Sequence, residues 1–343
     1  MTISDPRAAH GRTTITDVAR AAGVSVATVS KVINGRDGVA ASTSERVLQV
    51  VSELGYASSL VATSLRRQRT HVIGVLVAEF EPFALQLLHG VSEALRETSY
   101  DVLAYAGAVS SGSHEGWEAR SLSRLGGTLI DGAVVVTPTV RPPETVVPIV
   151  AIDPHTGPSA SATVDTDNLR GARDATAHLL SLGHTRIAHL RGRGDLESAR
   201  LRERGFREAI AAAGLSVDER LVVDGGYAQA EAAACTERLL ALEEPPTAIF
   251  AANDVSAIEA IRTAGSRGLR VPDDLSVVGF DDIPAAAATT PPLTTVRQPL
   301  VEMGRRAVGI LIGMLEEGAE ASHERLASEL VTRGSTAPPR DAR

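Results

Sequence analysis

Ile15-Thr16-Asp17-Val18-Ala19-Arg20-Ala21-Ala22-Gly23-Val24-Ser25-Val26-Ala27-Thr28-Val29-Ser30-Lys31-Val32-Ile33 is the stretch on which the reading of this chain turns. Thr16 is placed to cap a short helix whose apolar face is Val18, Ala19 and Ala22, and Gly23 stops it. Ser25 is placed to cap a second helix, in which Val29, Val32 and Ile33 keep the i, i+3, i+4 spacing and Thr28, Ser30 and Lys31 fall elsewhere. Asn34-Gly35 ends that helix. A third is expected from Ser42, with Glu45 completing a capping box and Val47, Val50, Val51 and Leu54 forming one apolar stripe. Two short helices joined by a tight glycine turn, with a third behind them, read as a helix-turn-helix whose second helix fits the DNA major groove. Other small three-helix bundles share this spacing.

Charge points the same way. Residues 1–70 hold nine Lys/Arg against five Asp/Glu, a balance of +4, whereas the remainder carries −12 and the whole chain −8. A basic end suits a polyanion that the acidic remainder would repel. With 343 residues and 43% apolar composition, two to three domains are expected. The single cysteine, Cys235, allows no intramolecular disulfide. The N-terminus lacks the apolar core of a signal peptide and no apolar run is long enough to span a bilayer, so a cytoplasmic protein without membrane contact is expected. Residues 1–11 are polar and small and are expected to be disordered.

From His71 onward short apolar runs alternate with longer amphipathic segments. Strands are expected over Val72–Val77, Val102–Tyr105, Ala133–Val136, Ile149–Ile152, Ile187–Leu190, Leu221–Val223, Ala248–Ala251 and Leu275–Phe280, with helices such as Phe83–Glu97, Ser198–Ala213 and Val255–Thr263 between them. This βα alternation implies parallel sheets covered by helices, and the length suits two Rossmann-like lobes.

The string Ile15-Thr16-Asp17-Val18-Ala19 through Gly23-Val24-Ser25, then Ala27-Thr28-Val29-Ser30, Ile33-Asn34-Gly35 and Glu53-Leu54-Gly55-Tyr56, closely resembles the lactose/galactose repressor family of bacterial transcriptional regulators. The second half is similar to that family's sensor, which has the periplasmic sugar-binding fold. The matching pieces include Val164-Asp165-Thr166-Asp167-Asn168, Ala252-Asn253-Asp254, Val278-Gly279-Phe280-Asp281-Asp282 and Pro291-Pro292-Leu293-Thr294-Thr295-Val296-Arg297-Gln298. The resemblance implies an all-α helix-turn-helix head over residues 12–57, a hinge helix and linker over 58–70, and a two-lobed α/β effector-binding and dimerisation domain over 71–343.

The resemblance also implies roles. Val26 and Ala27 open the recognition helix and face base edges, and Lys31, where the family often has arginine, donates to guanine as a point charge. Thr14, Ser25, Thr28, Ser30 and Asn34 suit phosphate contacts, although Ser25 and Asn34 equally suit capping. In the hinge, Leu65 stands where a leucine wedges into the minor groove, and Ala62 lets two such helices approach across a dimer axis. Arg202, Asn253 and Asp281 are implied to hydrogen-bond the effector, with Asp153 a further candidate of that kind, Tyr227 stacking on it and Phe83 lining the other wall. Each has a plainer reading: Asp153, Asn253 and Asp281 as turn caps, Phe83 as core, Arg202 as a surface helix residue.

No catalytic constellation is found. Arg191-Gly192-Arg193-Gly194-Asp195 after a strand superficially matches a dinucleotide loop, but the third glycine would fall at Glu197 and the following helix opens with two acids. The nine histidines show no metal-ligand spacing, so neither metal nor cofactor is expected. The expected function is that of a sequence-specific repressor, a homodimer on a pseudo-palindromic double-stranded operator, released by a small sugar. The alternatives are a corepressor-dependent regulator of the same fold and a solute-binding protein.

Overall fold

A computed structural model describes residues 13–33, 38–54, 69–107, 116–140, 147–154 and 162–340. The chain divides into two compact units, Met1–Thr70 and His71–Arg343. Residues 1–11, Asn34 and the hinge at 58–66 with Ala62 and Leu65 lie outside the described residues.

In the first unit α1 (Ile15–Ala22), α2 (Val26–Ile33) and α3 (Ala41–Glu53) enclose a core of Val18, Ala19, Ala22, Val29 and Val47. The cap of α1 is Thr14 rather than Thr16. The Thr14 side chain accepts from the Asp17 N–H, and the Asp17 carboxylate accepts from the Thr14 N–H at 3.0 Å. Thr14 wins because it has an acid three residues on to close a reciprocal box, whereas Thr16 has Ala19 there. Gly23 ends α1 with φ 63°, in the left-handed region. The capping box expected at Ser42 and Glu45 does not form: α3 begins at Ala41, and its N-cap is Ala40, two residues before Ser42, with no side-chain cap. Leu54, expected on the buried stripe, is the C-cap of α3 and is 39% exposed.

The second unit is built of two lobes. The first lobe runs β1 (Val72–Val77), α4 (Pro82–Leu95), β2 (Asp101–Ala106), α5 (Trp117–Leu125), β3 (Gly132–Val136), β4 (Ile149–Ile152) and β5 (Ala162–Thr166). The second runs α6 (Asn168–Ser181), β6 (Ile187–Arg191), α7 (Glu197–Ala212), β7 (Val222–Asp224), α8 (Gln229–Leu240), β8 (Ala248–Ala251), α9 (Asp254–Ser266), β9 (Ser276–Asp281), α10 (Pro284–Ala288) and β10 (Thr294–Arg297). The chain then returns to the first lobe as α11 (Leu300–Ile312), whose Leu300, Met303, Ala307 and Leu311 pack into the same core as Ile73 and Leu87. It adds β11 (His323–Leu326) to the first sheet and β12 (Glu329–Val331) to the second.

The sheet orders are β11-β5-β4-β3-β1-β2 and β12-β10-β9-β8-β6-β7. The strand pairings among the described residues are parallel except that of β10 with β12. Helices cover both faces, so strands such as β1 and β9 are buried along their whole length. Ignoring the late additions, each sheet has the same arrangement, with the first strand between the second and the third. The point where strand order reverses therefore lies beside β1 in one lobe and β6 in the other, and loops leaving neighbouring strands there diverge to opposite faces and open a crevice.

Candidate functional site

The head presents α2 outward. Val29 is fully buried, which turns Val26 (38% exposed), Ala27 and Lys31 to the surface. Ser25 accepts from the Thr28 N–H at 3.1 Å, and its hydroxyl lies 2.9 Å from that of Thr28. Ser25 thus caps α2, while its exposure leaves it open to further contacts. Thr14 likewise spends its hydroxyl on Asp17, at 2.6 Å, and remains exposed. Thr28 and Ser30 are half-buried on the flank of α2. An exposed face with two small apolar side chains and one cation, flanked by hydroxyls, can do what major-groove readout requires: approach closely, touch methyl groups and donate to acceptors.

In the second unit a cavity of 390 Å³ opens where the carboxyl ends of both sheets converge. Ala78 follows β1, Thr137 follows β3, Asp153 follows β4, Arg193 lies just past β6, Tyr227 past β7, Asn253 past β8, and Asp281 ends β9. Phe83 reaches in from the first turn of α4 and Arg202 from α7. All six residues singled out as effector contacts line this cavity: Phe83, Asp153, Arg202, Tyr227, Asn253 and Asp281.

Four lining residues hold backbone that side chains other than glycine rarely adopt: Thr137 at φ 47°, Asp153 at 49°, Tyr227 at 65° and Asp281 at 115°. Such conformations cost roughly 1–3 kcal/mol each and persist only where surrounding structure imposes them. Here Thr137 and Asp153 directly follow β3 and β4, Asp281 ends β9, Tyr227 lies in the loop after β7, and all four line the cavity.

Arg202 is no surface residue. It is 3% exposed, its Nε donates to Asn168 Oδ1 at 2.8 Å, and its Nη1 donates to the Ala252 carbonyl. Nη1 also lies 3.5 Å from Asp281 Oδ1, and the guanidinium sits 3.8 Å from the Phe280 ring centroid. Asp281 accepts from Gln298 Nε2 at 2.7 Å. Burial pushes the Asp281 carboxyl up to about 7 against the pull of Arg202 and Gln298, with Glu81 and Asp153 adding to the rise. Burial also raises Asp153, opposed by Arg202 and by its bond from Asn168. Below the floor, Asp254 accepts from Thr295 and from the Ile283 N–H; burial and Asp281 hold it well above the usual carboxylate range.

Two of the plainer readings hold alongside cavity lining. Asn253 caps α9 by accepting from the Ser256 N–H at 3.0 Å, while its amide nitrogen donates to the Tyr227 carbonyl at 3.4 Å. Phe83 packs against the first lobe's core as well as facing the cavity. Sequence reasoning missed Glu79, Glu81, Trp117, Thr137 and Ser198, which also line it. Thr137 follows β3 as Asp153 follows β4, so a search for polar residues just past the strand ends would have found it. Arg193 was met only inside the rejected dinucleotide loop, where it pairs with Asp195 at 2.6 Å. Among the described residues no group of three or more His, Cys, Asp and Glu side chains is placed to hold a metal, and no helix is long and apolar enough to cross a membrane.

Comparison with known proteins bears on both units. The model for bacterial regulatory proteins of the lacI family matches residues 14–59, and that for a periplasmic binding protein-like domain matches 176–336. The HTH-type transcriptional repressor PurR of Aliivibrio fischeri (strain MJ11) is 37% identical over 338 residues, covering 94% of this chain and 98% of PurR. The chain belongs to the lacI family of bacterial regulatory proteins. A second LacI-family relative, the HTH-type transcriptional regulator DegA of Bacillus subtilis (strain 168), is 35% identical over 95% of this chain and 99% of its own length. Among solved structures, that of the transcriptional regulator CelR with cellobiose superposes with TM-score 0.71 at 33% identity, covering 94% of this chain and all of that one. The lac repressor dimer bound to operator and the anti-inducer ONPF superposes with TM-score 0.78 at 27% identity, covering 95% and 100%. This LacI-family member is a DNA-binding transcriptional regulator and not an enzyme.

Proposed function

We propose that this regulator is a repressor that releases its operator when a small sugar fills the cleft between its lobes. The observation that carries this reading is the opposition of buried carboxylates, Asp153 and Asp281, to the buried guanidinium of Arg202 in one cavity with aromatic walls. Carboxylates accept from vicinal hydroxyls, the guanidinium donates to ring or hydroxyl oxygens, and Phe83 and Tyr227 cover the apolar faces of a ring. Trp117 Nε1, buried without a partner among the described residues, adds a donor at the wall. The CelR–cellobiose structure supports a saccharide in this fold.

On the DNA side, Val26, Ala27 and Lys31 read base edges while Thr14, Ser25, Thr28, Ser30 and Asn34 hold phosphates, with Leu65 and Ala62 acting in the minor groove. The working domains are residues 12–57, 58–70 and 71–343. One helix-turn-helix buries too little surface for useful specificity, so the protein acts in the cytoplasm as a homodimer on a pseudo-palindromic operator, as the lac repressor structure supports. Effector and operator favour different lobe arrangements, so each weakens the other's binding by the same factor.

Fluorescence polarisation on a selected operator, titrated with mono- and oligosaccharides, tests this. Release by one sugar supports an induced repressor. If no sugar acts and a nucleobase or another metabolite tightens the complex, the effector is a corepressor and the sign is reversed.

A further inference from the structure

Asp153 belongs to the first lobe, at the end of β4, and Arg202 to the second, on α7. Between them stands Asn168, the first residue of α6 and so the start of the second lobe after the chain leaves β5. Its Nδ2 donates to Asp153 Oδ1 at 3.1 Å and to the Thr166 carbonyl at 3.3 Å, and its Oδ1 accepts from Arg202 Nε at 2.8 Å. The amide's orientation is dictated by its neighbours: turned over, it would set N–H against guanidinium and oxygen against carboxylate. All three side chains are buried, with Asn168 3%, Asp153 6% and Arg202 3% exposed. Asn168 does not line the effector cavity. It lies behind Asp153, on the wall of a second cavity of 460 Å³ that shares Asp153 and Ser198 with the first.

We infer that Asn168 is a positioning residue: a hydrogen-bonded strut that ties the lobes together beside their first crossover and sets the spacing of Asp153 and Arg202. Of its three bonds, the one to Asp153 reaches the first lobe and the one to Arg202 the second, and each of those two partners faces the cavity. A rotation of the lobes that changes the Asp153–Arg202 spacing has to stretch or break the Asn168–Asp153 bond. The strut is therefore a point where filling the cleft is felt at the crossover between the lobes. That regulatory consequence rests on the proposal that the cleft takes an effector, whereas the strut itself does not.

The electrostatics make the bridge testable without a ligand. Asp153 is faced by Arg202 from α7, Asp165 from β5, Arg325 from β11, which pairs with Asp165 at 2.8 Å, and Asp281 from the second lobe. Asn168→Asp keeps the acceptor for Arg202 and sets a second carboxylate against Asp153. The two share a proton, so their folded-state affinity for it rises and the stability of the variant falls as pH increases. In the double variant Asp153→Asn/Asn168→Asp the polarity of the bond is reversed at constant net charge. The new amide at position 153 donates to the new carboxylate at position 168, which still accepts from Arg202.

The experiment is thermal unfolding of the full-length protein without effector, at about pH 5 and about pH 7.5, for the wild type, Asn168→Asp, Asp153→Asn and the double variant. Asn168→Asp is expected to melt about 5–10 °C lower at the higher pH and to recover at least half of that at the lower one. The double variant is expected to regain most of the loss at the higher pH. A loss that does not change with pH, no loss at all, or a double variant no better than the single one overturns the strut. If Asn168→Asp does not fold, a folded double variant supports the inference and an unfolded one overturns it. Titration of the same proteins with the sugar that releases the wild type then reads the regulatory consequence. A wild type that answers to no sugar fails the functional proposal and leaves the unfolding result standing.

Discussion

Gly192 has no room for a side chain because Tyr227 occupies it: a Cβ at Gly192 would overlap Cζ and both Cε atoms of the Tyr227 ring. The two residues sit just past the ends of β6 and β7, which are paired neighbours in the second sheet. A glycine that in one dimension suggests a phosphate loop is, in the fold, the space in which the Tyr227 ring at the cavity wall rests.

Gly192→Ala is accordingly expected to displace the Tyr227 ring, an overpacking that costs about 1–3 kcal/mol. Effector affinity should fall about tenfold or more while the protein remains folded by circular dichroism. Effector titration of the variant checks this, and an unchanged affinity would remove Tyr227 from the site.

Asp281 gives the cleft a pH dependence. Its carboxyl is pushed up to about 7, above its ordinary value, so its neutral form favours the folded state and that contribution is lost as pH rises through about 7. The ionised form is the better acceptor for a hydroxyl. Effector affinity should therefore rise between about pH 6 and about pH 8, and Asp281→Asn should bind weakly with a flat profile. Calorimetric titration across that range decides; a sloping profile in the variant would assign the titration elsewhere.

His189 works in the opposite sense. It is fully buried between Phe206 and Phe250, at ring centroid distances of 5.0 and 4.8 Å, and its Nδ1 lies 2.9 Å from the Phe250 carbonyl. Burial drives its pKa down to about 4. An unfolded histidine titrates near 6.5, so stability is fully present above that pH and drains away as pH falls towards about 4, by up to about 3 kcal/mol. Urea unfolding of wild type and His189→Phe at neutral and mildly acid pH should show a flatter acid limb in the variant.

Lys31 is exposed on α2 beside Val26 and Ala27. If it reads a base, Lys31→Ala costs the specific complex about 1–3 kcal/mol and leaves non-specific binding nearly intact. Equal losses in both, with a salt slope reduced by about one, would make it a phosphate contact instead.

Much of the architecture was legible in the linear pattern because it depends on neighbours three or four residues apart in helices and two apart in strands. The spacing of Val18, Ala19, Ala22 and Val29 is the core of the head as it stands. The βα alternation after His71 yields the two sheets, parallel except at β12. Helix starts were less legible. Thr14 and Thr16 look alike locally, and only the partner three residues on decides between them. The returning segment from Leu300 to Val331 was not divided into elements from the sequence, since its strands are short and each pairs with a distant one.

The sequence by itself determined the kinds of unit, their order, and the polar residues that end the strands, because periodicity and turn chemistry are local. Only the tertiary structure decided which of those residues meet. Arg202 could have been a surface cation until α7 laid it on Phe280 and against Asp281. Asn168 was one letter in a matching string until the crossover from β5 set its amide between Asp153 and Arg202. A hydrogen bond acts over about 3 Å and is blind to separation along the chain, so such contacts follow from the packing of the two sheets. The same packing imposes left-handed backbone on Thr137, Asp153, Tyr227 and Asp281, a conformation their local preferences oppose.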